Sequence, residues 1–159
     1  MVGNSILKLQ PGEHYFCKGL KLRGNGRLEG DDVLLMLTGG NALTANETSS
    51  VSLSGRRSGF WAGFVMVATR GNYANTTIAS NNVDKLLGTI YLPVSRLIVS
   101  AKGEVAESSE WSVVVARNIN LSNKARLVIN SDYEGSPVPV PIGVGNQAGG
   151  TNVPLRLRE

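Results

Sequence analysis

Short apolar segments recur along the chain, separated by stretches rich in Gly, Ser, Thr and Asn. Four of them share a common shape: residues 31–38, 61–69, 86–93 and 110–117. Each contains a short run of aliphatic, β-branched or aromatic residues, which is the composition typical of β-strands. Their spacing of roughly 25–30 residues falls in the range expected for stacked repeats. The pattern therefore predicts a repetitive all-β chain.

A second, shorter segment with alternating apolar residues follows most of these runs. Such segments lie at residues 51–53, 76–78, 97–99 and 119–121. In residues 20–30, Leu alternates with Lys, Arg and Glu, so Leu is expected to face inward and the charged residues outward. Two or three short strands per unit predict a β-solenoid, in which each coil buries its inner face only against neighbouring coils.

We therefore predict one all-β domain, a parallel β-helix of about five coils. The alternative is a β-sandwich or jelly roll, in which short strands recur every eight to twelve residues or so. That alternative requires hairpin turns, and Asn25-Gly26 is a candidate for one. Strand pairing therefore distinguishes the two folds.

Two segments interrupt the repeat, and the second sets the domain boundary. The first is the Gly- and Asn-containing stretch 38–50. The second is Pro- and Gly-rich, so we divide the chain into a solenoid domain, residues 1–135, and a capping segment or tail, residues 136–159. Its prolines favour an extended chain without ladder donors, which could cover an open end of the stack. The final residues, VPLRLRE, alternate again and are predicted to form an edge strand.

The net charge of +4 does not, in this sequence, indicate nucleic-acid binding. The densest group of basic residues is Lys18, Lys21, Arg23 and Arg27, and these residues are interspersed with apolar positions. Nucleic-acid binding requires basic residues clustered on one face, whereas alternation is typical of the solvent side of strands. We therefore expect no nucleic-acid partner.

The chain contains one cysteine, Cys17, and one histidine, His14. A single cysteine excludes an internal disulfide and argues against a zinc site built on cysteines. No second histidine or adjacent base supports a reactive thiol, so Cys17 is predicted to be a small buried residue. We expect neither a metal nor a cofactor.

The acidic residues do not form a convincing catalytic pair. Glycoside hydrolysis usually needs two carboxylates flanking the bond, but Asp31 and Asp32 are neighbours, which point to opposite faces of an extended strand. We predict that they form a polar turn. Glu104, Glu107 and Glu110 are the best cluster for a calcium-dependent lyase, and their spacing is more typical of an exposed loop. No G-x-S-x-G motif is present. We therefore predict a protein that is not an enzyme.

Aromatic residues give the one candidate contact surface in the sequence. Tyr91 and Trp111 lie within apolar segments and are predicted to belong to the core. Phe60 and Trp61 are flanked by glycines and follow the basic pair Arg56-Arg57. Aromatic rings combine a large apolar surface with, in Trp and Tyr, a polar group. We predict that Arg56, Arg57, Phe60 and Trp61 form a contact surface.

Residues 9–39, LQPGEHYFCKGLKLRGNGRLEGDDVLLMLTG, resemble a coil in the C-terminal region of bacterial tight-adherence (Flp/Tad) pilus-assembly proteins of the TadE/TadG-like kind. The matching positions are Leu9, Pro11, Gly12, Tyr15, Gly19, Leu20, Leu22, Gly24, Asn25, Leu28, Gly30 and Val33. The segment GTIYLP, residues 88–93, is similar to the following coil, and the ending SPVPVPIGVG…LRLRE is similar to the end of such proteins. The resemblance covers most of the chain.

The resemblance implies a right-handed parallel β-helix in a bacterial extracytoplasmic location: the periplasm, the cell envelope or the cell surface. It implies a structural role in pilus assembly or surface attachment, with other pilus or envelope proteins as partners. Family members usually carry an N-terminal membrane helix, which is missing here, so we expect membrane association only through such an anchor. Self-association through the coil ends is a further expectation. The alternative function, by analogy of fold alone, is a carbohydrate-binding or polysaccharide-lyase-like β-helix.

Overall fold

The structure, a computed structural model, describes residues 1–144. These residues form thirteen β-strands and no helix. The strands are β1 (Ile6–Leu9), β2 (Gly12–Phe16), β3 (Leu20–Leu22), β4 (Arg27–Gly30), β5 (Val33–Leu37), β6 (Leu43–Ala45), β7 (Ser50–Ser54), β8 (Phe64–Ala68), β9 (Thr76–Ile78), β10 (Asn82–Val99), β11 (Glu104–Val105), β12 (Ser112–Leu121) and β13 (Arg126–Leu127).

The strands wind into a right-handed parallel β-helix of about five coils with three faces. Face 1 contains β1, β4, β7 and the start of β10. Face 2 contains β2, β5, β8, the middle of β10 and the first half of β12. Face 3 contains β3, β6, β9 and the ends of β10 and β12. The predicted solenoid is confirmed.

Strand pairing excludes the sandwich alternative. Every pair of named strands within residues 1–144 is parallel, and the antiparallel contact there is a single bridge between Trp111 and Ser131. The hairpin that the sandwich alternative would place at Asn25-Gly26 does not form, because this turn connects β3 on face 3 to β4 on face 1. A parallel helix turns a corner at such a point, whereas a hairpin would pair the two strands it joins.

Inward-facing aliphatic side chains form one continuous column through the stack. The parallel register places like residues above one another, as in the row Leu28, Val51 and Val83, each no more than 2% exposed. Burying an aliphatic side chain stabilises the fold by roughly 1.5–3 kcal/mol. The column explains the two-residue period of the sequence, since only alternate strand positions reach it.

Coil length is regular except in the third coil. On face 1, Arg27 is the register partner of Ile6, Ser50 of Arg27, and Asn82 of Ser50. The last step is the longest, because residues 55–63 are inserted between β7 and β8. At the equivalent corner of the preceding coil, only Asp31 and Asp32 separate β4 from β5. The prediction that residues 38–50 interrupt the repeat is wrong, because this segment contains β6 and pairs in register with β3 and β9.

The Pro-rich segment lies along the side of the solenoid. We call residues 136–141 the proline strap. Val138 is 1% exposed and packs with Leu87 and Trp111, and the Trp111 Nε1–H donates a 3.0 Å hydrogen bond to the Val138 carbonyl. Further along, the strap reaches Gly63 in the third coil. The strap therefore runs back from the fifth coil toward the third. The edge strand predicted for VPLRLRE lies outside the described residues.

The C-terminal end of the hydrophobic column is open over residues 1–144. Ile119 and Leu121 of β12 continue the inward rows of Leu97 and Val99, yet they are 40% and 53% exposed. Their partners in the preceding coil are fully buried. Ala125 and Leu127 pack against the column here, but they leave Ile119 and Leu121 exposed, and the proline strap leads away from this end. No helix in residues 1–144 is long and apolar enough to cross a membrane.

Candidate contact surface

The insertion in the third coil, residues 55–63, forms a closed loop that we call the aromatic loop. The Arg56 N–H donates to the Phe64 carbonyl at 2.9 Å, and the Gly63 N–H donates to the Arg56 carbonyl at 2.8 Å. The two ends are also joined to the next coil, through Gly55 N–H to Leu87 O at 2.8 Å and Thr89 N–H to Gly63 O at 2.7 Å. The loop is therefore held at its base by main-chain hydrogen bonds.

Two ion pairs attach the aromatic loop to the preceding coil. Arg56 Nη1 lies 2.8 Å from Asp32 Oδ1, and Arg57 Nη2 lies 2.5 Å from Asp31 Oδ2. Asp32 also accepts a hydrogen bond from the Arg57 N–H at 2.8 Å, and its carbonyl accepts one from Arg56 Nη1 at 2.7 Å. The Arg56–Asp32 pair is largely buried, at 17% and 22% side-chain exposure, whereas the outer pair is more exposed.

Four aromatic rings meet at the tip and base of this loop. Phe60 and Trp61 pack edge to face at 5.0 Å between ring centroids, and Trp61 packs edge to face on Phe64 at 5.7 Å. Together with Tyr91 they line an apolar hollow of about 270 Å³. The side chain of Phe60 is 88% exposed, whereas that of its neighbour Trp61 is partly buried. We call these four residues the aromatic hollow.

The aromatic hollow continues an apolar row on the outside of face 2. In register, the outward side chains are Tyr15, Met36, Val67, Tyr91 and Val115. The middle of the row is covered, since Met36 and Val67 pack with Leu34 beneath Trp61, Phe64 and Tyr91. Its two ends are open: Tyr15 is 62% and Val115 42% exposed. This outer layer explains why every residue of β5 is buried on both sides of the strand.

A glycine permits the proline strap to approach the base of the loop. Gly63 has φ of +87°, and a Cβ at this position would lie 2.5 Å from the Pro139 carbonyl oxygen and 2.7 Å from Pro141 Cδ. Both the left-handed backbone and the close approach exclude larger residues. The strap thus contacts the base of the loop at Gly63, whereas the ion pairs attach the loop to the preceding coil at Asp31 and Asp32.

The four predicted contact residues lie in one loop, and the structure gives them different surroundings. Phe60 is exposed, as a contact residue requires, while Arg56 and Arg57 are occupied by ion pairs with Asp32 and Asp31. Sequence reasoning missed Phe64 and Tyr91 as members of the hollow. Tyr91 was expected in the core but lies on the outer side of face 2, half-buried. A register that places Tyr91 beside Val67 could have identified it.

Other sequence predictions have mixed outcomes. Trp111 is fully buried, as predicted, and Asp31-Asp32 form a turn between β4 and β5. The prediction of a buried Cys17 is wrong: the residue lies in the turn after β2 and is exposed. Its segment turns a corner there, so the period-two alternation that would place it inside no longer applies.

The acidic residues considered for catalysis are paired with bases or separated. Glu104 lies 3.2 Å from Arg126, and Glu110 lies 3.0 Å from Lys85. Burial alone would raise the pKa of Glu110, but its own main-chain N–H and the nearby Lys85 ammonium lower that pKa below its ordinary value. Within residues 1–144, no group of three or more His, Cys, Asp or Glu side chains could hold a metal ion.

Comparison of the chain with models of protein families, with curated proteins and with solved structures gives no match in any of the three.

Proposed function

We propose that this chain is a non-enzymatic structural domain of a bacterial tight-adherence pilus-assembly or surface-attachment protein. In this proposal it works outside the cytoplasm, in the periplasm, cell envelope or at the cell surface. Its partners are other pilus or envelope proteins, bound through the aromatic hollow. The resemblance of residues 9–39 and 88–93 to the TadE/TadG-like coils is the reason for naming this system.

The observation that carries a protein-contact role is the exposure of Phe60 on a braced loop. At 88% exposure, Phe60 gains little from burial on folding, although its ring packs edge to face on Trp61. Aromatic residues presented beside an apolar hollow are typical of the few residues that dominate binding energy at protein interfaces. A loop already held by ion pairs and main-chain hydrogen bonds loses little conformational entropy on binding. These features favour recognition of an apolar segment of a partner protein.

The experiment for the assembly role is deletion and restoration in the source organism. The parent gene is deleted, then restored with and without the segment encoding this domain, and surface pili are counted per cell. The proposal expects pili to disappear and to return only with the domain. Normal pili without the domain would overturn the assembly role while leaving open contacts of another kind.

Self-association is a second proposal, favoured by the open C-terminal end of the column. Ile119 and Leu121 expose apolar surface on β12, a strand of ten residues whose outer edge, after Ser112, has no strand partner within residues 1–144. Such an edge accepts another strand, in this proposal from a second copy stacked head to tail. Sedimentation velocity over a hundredfold concentration range tests it. A rising mean mass that Leu121→Asp abolishes supports stacking, and a strict monomer at the highest concentration contradicts it.

A further inference from the structure

A concave trough crosses the outside of face 1, away from the aromatic hollow. Its volume is about 750 Å³. Short side chains form its floor, since Ser50 and Ser52 point outward from β7. Longer polar side chains form its walls: Arg27 and Glu29 from β4 on one side, and Asn82 and Asp84 from β10 on the other. We call these six residues the polar trough.

The side chains of the polar trough make no hydrogen bond or ion pair with other residues within the described chain. Elsewhere in the same solenoid, arginine and carboxylate side chains in neighbouring coils are paired, as Arg56 is with Asp32 and Arg126 with Glu104. Arg27 and Glu29 are two residues apart on one strand face, and yet they form no ion pair within 4.0 Å. The six side chains of the trough thus keep their donors and acceptors available, whereas Asn4, Asn25 and Thr48 at the same cavity are hydrogen-bonded.

The hydrogen-bonding groups and charges of the trough indicate which class of ligand it can bind. Arg27 supplies donors, Glu29 and Asp84 supply acceptors, and the Asn and Ser side chains supply both. Such a mixed set is complementary to hydroxyl groups, which also donate and accept. The six residues carry two carboxylates and one guanidinium, a negative charge that disfavours polyanions such as nucleic acids and uronic-acid polymers, although the exposed Lys8 lies in register beside Glu29. Its lining is mostly polar, so an apolar peptide is a poor fit.

From this arrangement we infer that the polar trough binds an uncharged, hydroxyl-rich oligosaccharide. The inference does not depend on the proposed function, because the trough lies on face 1 and the aromatic hollow on face 2. The six residues of the trough lie on three neighbouring strands, β4, β7 and β10. Strands in the ladder lie about 4.8 Å apart, so several sugar units of one chain could contact successive coils.

Isothermal titration calorimetry tests this inference on the whole chain. The neutral probes are the hexasaccharides of β-1,4-glucose, β-1,4-N-acetylglucosamine and α-1,4-glucose, and hexagalacturonate is the anionic probe. We expect at least one neutral hexasaccharide to bind and hexagalacturonate to bind at least about tenfold more weakly than it. The inference is overturned if no neutral probe binds at millimolar concentration, or if hexagalacturonate binds as well as the best neutral probe.

Variants locate the binding. Ser52→Phe places a ring on the trough floor and is expected to weaken binding at least about tenfold. The matched control is Thr77→Phe, an outward position in β9 of the same coil but on face 3. If Ser52→Phe does not fold, the double variant Glu29→Gln/Asp84→Asn replaces it, with the same expected loss. Equal weakening by Thr77→Phe, or full binding by both trough variants, would overturn the assignment.

Discussion

Face 1 and face 2 are built on the same coils and bury their inner residues in the same column, yet their outer surfaces differ in chemistry. On face 1, the outward residues of β7 are Ser50 and Ser52, and they line an open polar trough. On face 2, the outward residues of β5 are Leu34 and Met36, and both are buried. The difference comes from the aromatic loop, which covers one face and leaves the other bare.

The comparison shows which positions folding constrains. Inward positions are mostly apolar, since a buried polar group without a hydrogen-bond partner costs about 1–3 kcal/mol. Thr76 of β9 is an exception, because it is fully buried in the inward row of Leu97. Outward positions are constrained only where a second layer covers them. Where no layer exists, as on face 1, outward residues are free to serve binding. At Phe60 the second layer ends in an exposed ring. Because no further layer covers this ring, it is also free to serve binding, which favours a contact surface.

The largest expected effect is a loss of stability when the second layer of face 2 is disrupted. Leu34→Ala leaves a cavity under Trp61 and Phe64, since Leu34 is fully buried. It should lower the free energy of unfolding by about 2–5 kcal/mol. Ser52→Ala, at an outward position of face 1, should change it by less than about 0.5 kcal/mol. Urea denaturation measures both, and similar losses in the two variants would show that the faces do not differ in this way.

A smaller effect concerns the corner that holds the aromatic loop over face 2. Asp32→Asn keeps a side chain that tolerates the positive φ of 56° at this residue but removes the charge facing Arg56. We expect a loss of about 1–2 kcal/mol, because the pair is largely buried and hydrogen-bonded. Asp31→Asn is the matched control. Its pair with Arg57 is more exposed, so a loss below about 0.5 kcal/mol is expected.

Equal losses in the Asp31 and Asp32 variants would contradict the distinction between an inner and an outer ion pair. Tryptophan fluorescence is a second measurement of the position of the loop. Trp61 lies in the loop, and the other tryptophan, Trp111, is buried and is not altered by these substitutions. A red shift in Asp32→Asn alone would indicate that the loop has moved away from face 2.

The smallest effect is a pH dependence at the edge of face 1. The pKa of Glu110 is lowered from its ordinary value of 4.5, so the folded state favours the ionised carboxylate. The resulting stability is present above pH 4.5 and is lost as the pH falls through the lowered pKa. It amounts to less than about 1 kcal/mol, since the pair with Lys85 is partly exposed. In Lys85→Met, carbon-13 NMR titration should show the Glu110 pKa rising, and an unchanged pKa would contradict the role of Lys85.

Much of the fold could be predicted from the sequence because the inner column imposes a period of two. The segment 76–78 was predicted as a strand and is β9. The stretch 38–50 was misread, because Gly39 and Gly40 turn a corner with positive φ directly before β6, and three residues are too few to show alternation. Coil corners have no periodic signal, so their lengths must be seen in the structure.

The candidate site was predicted only in part, for a related reason. Arg56, Arg57, Phe60 and Trp61 are adjacent in sequence, so their composition revealed them. Their partners come from other coils: Asp32 lies in the coil before, and Tyr91 in the coil after. Such contacts depend on the register between coils, which is set by the whole stack. The polar trough was not predicted either, since its six residues come from three coils.

We propose above that the aromatic hollow of face 2 is the surface through which this domain contacts its partner. The most direct measurement is a count of surface pili per cell in strains carrying Phe60→Ala or Tyr73→Ala in the chromosomal gene. Both residues are exposed aromatics on loops of the third coil, at 88% and 67%, so neither substitution should affect folding. We expect few or no surface pili per cell with Phe60→Ala and normal numbers with Tyr73→Ala. Normal numbers in both strains, with both proteins present at wild-type levels, would contradict it.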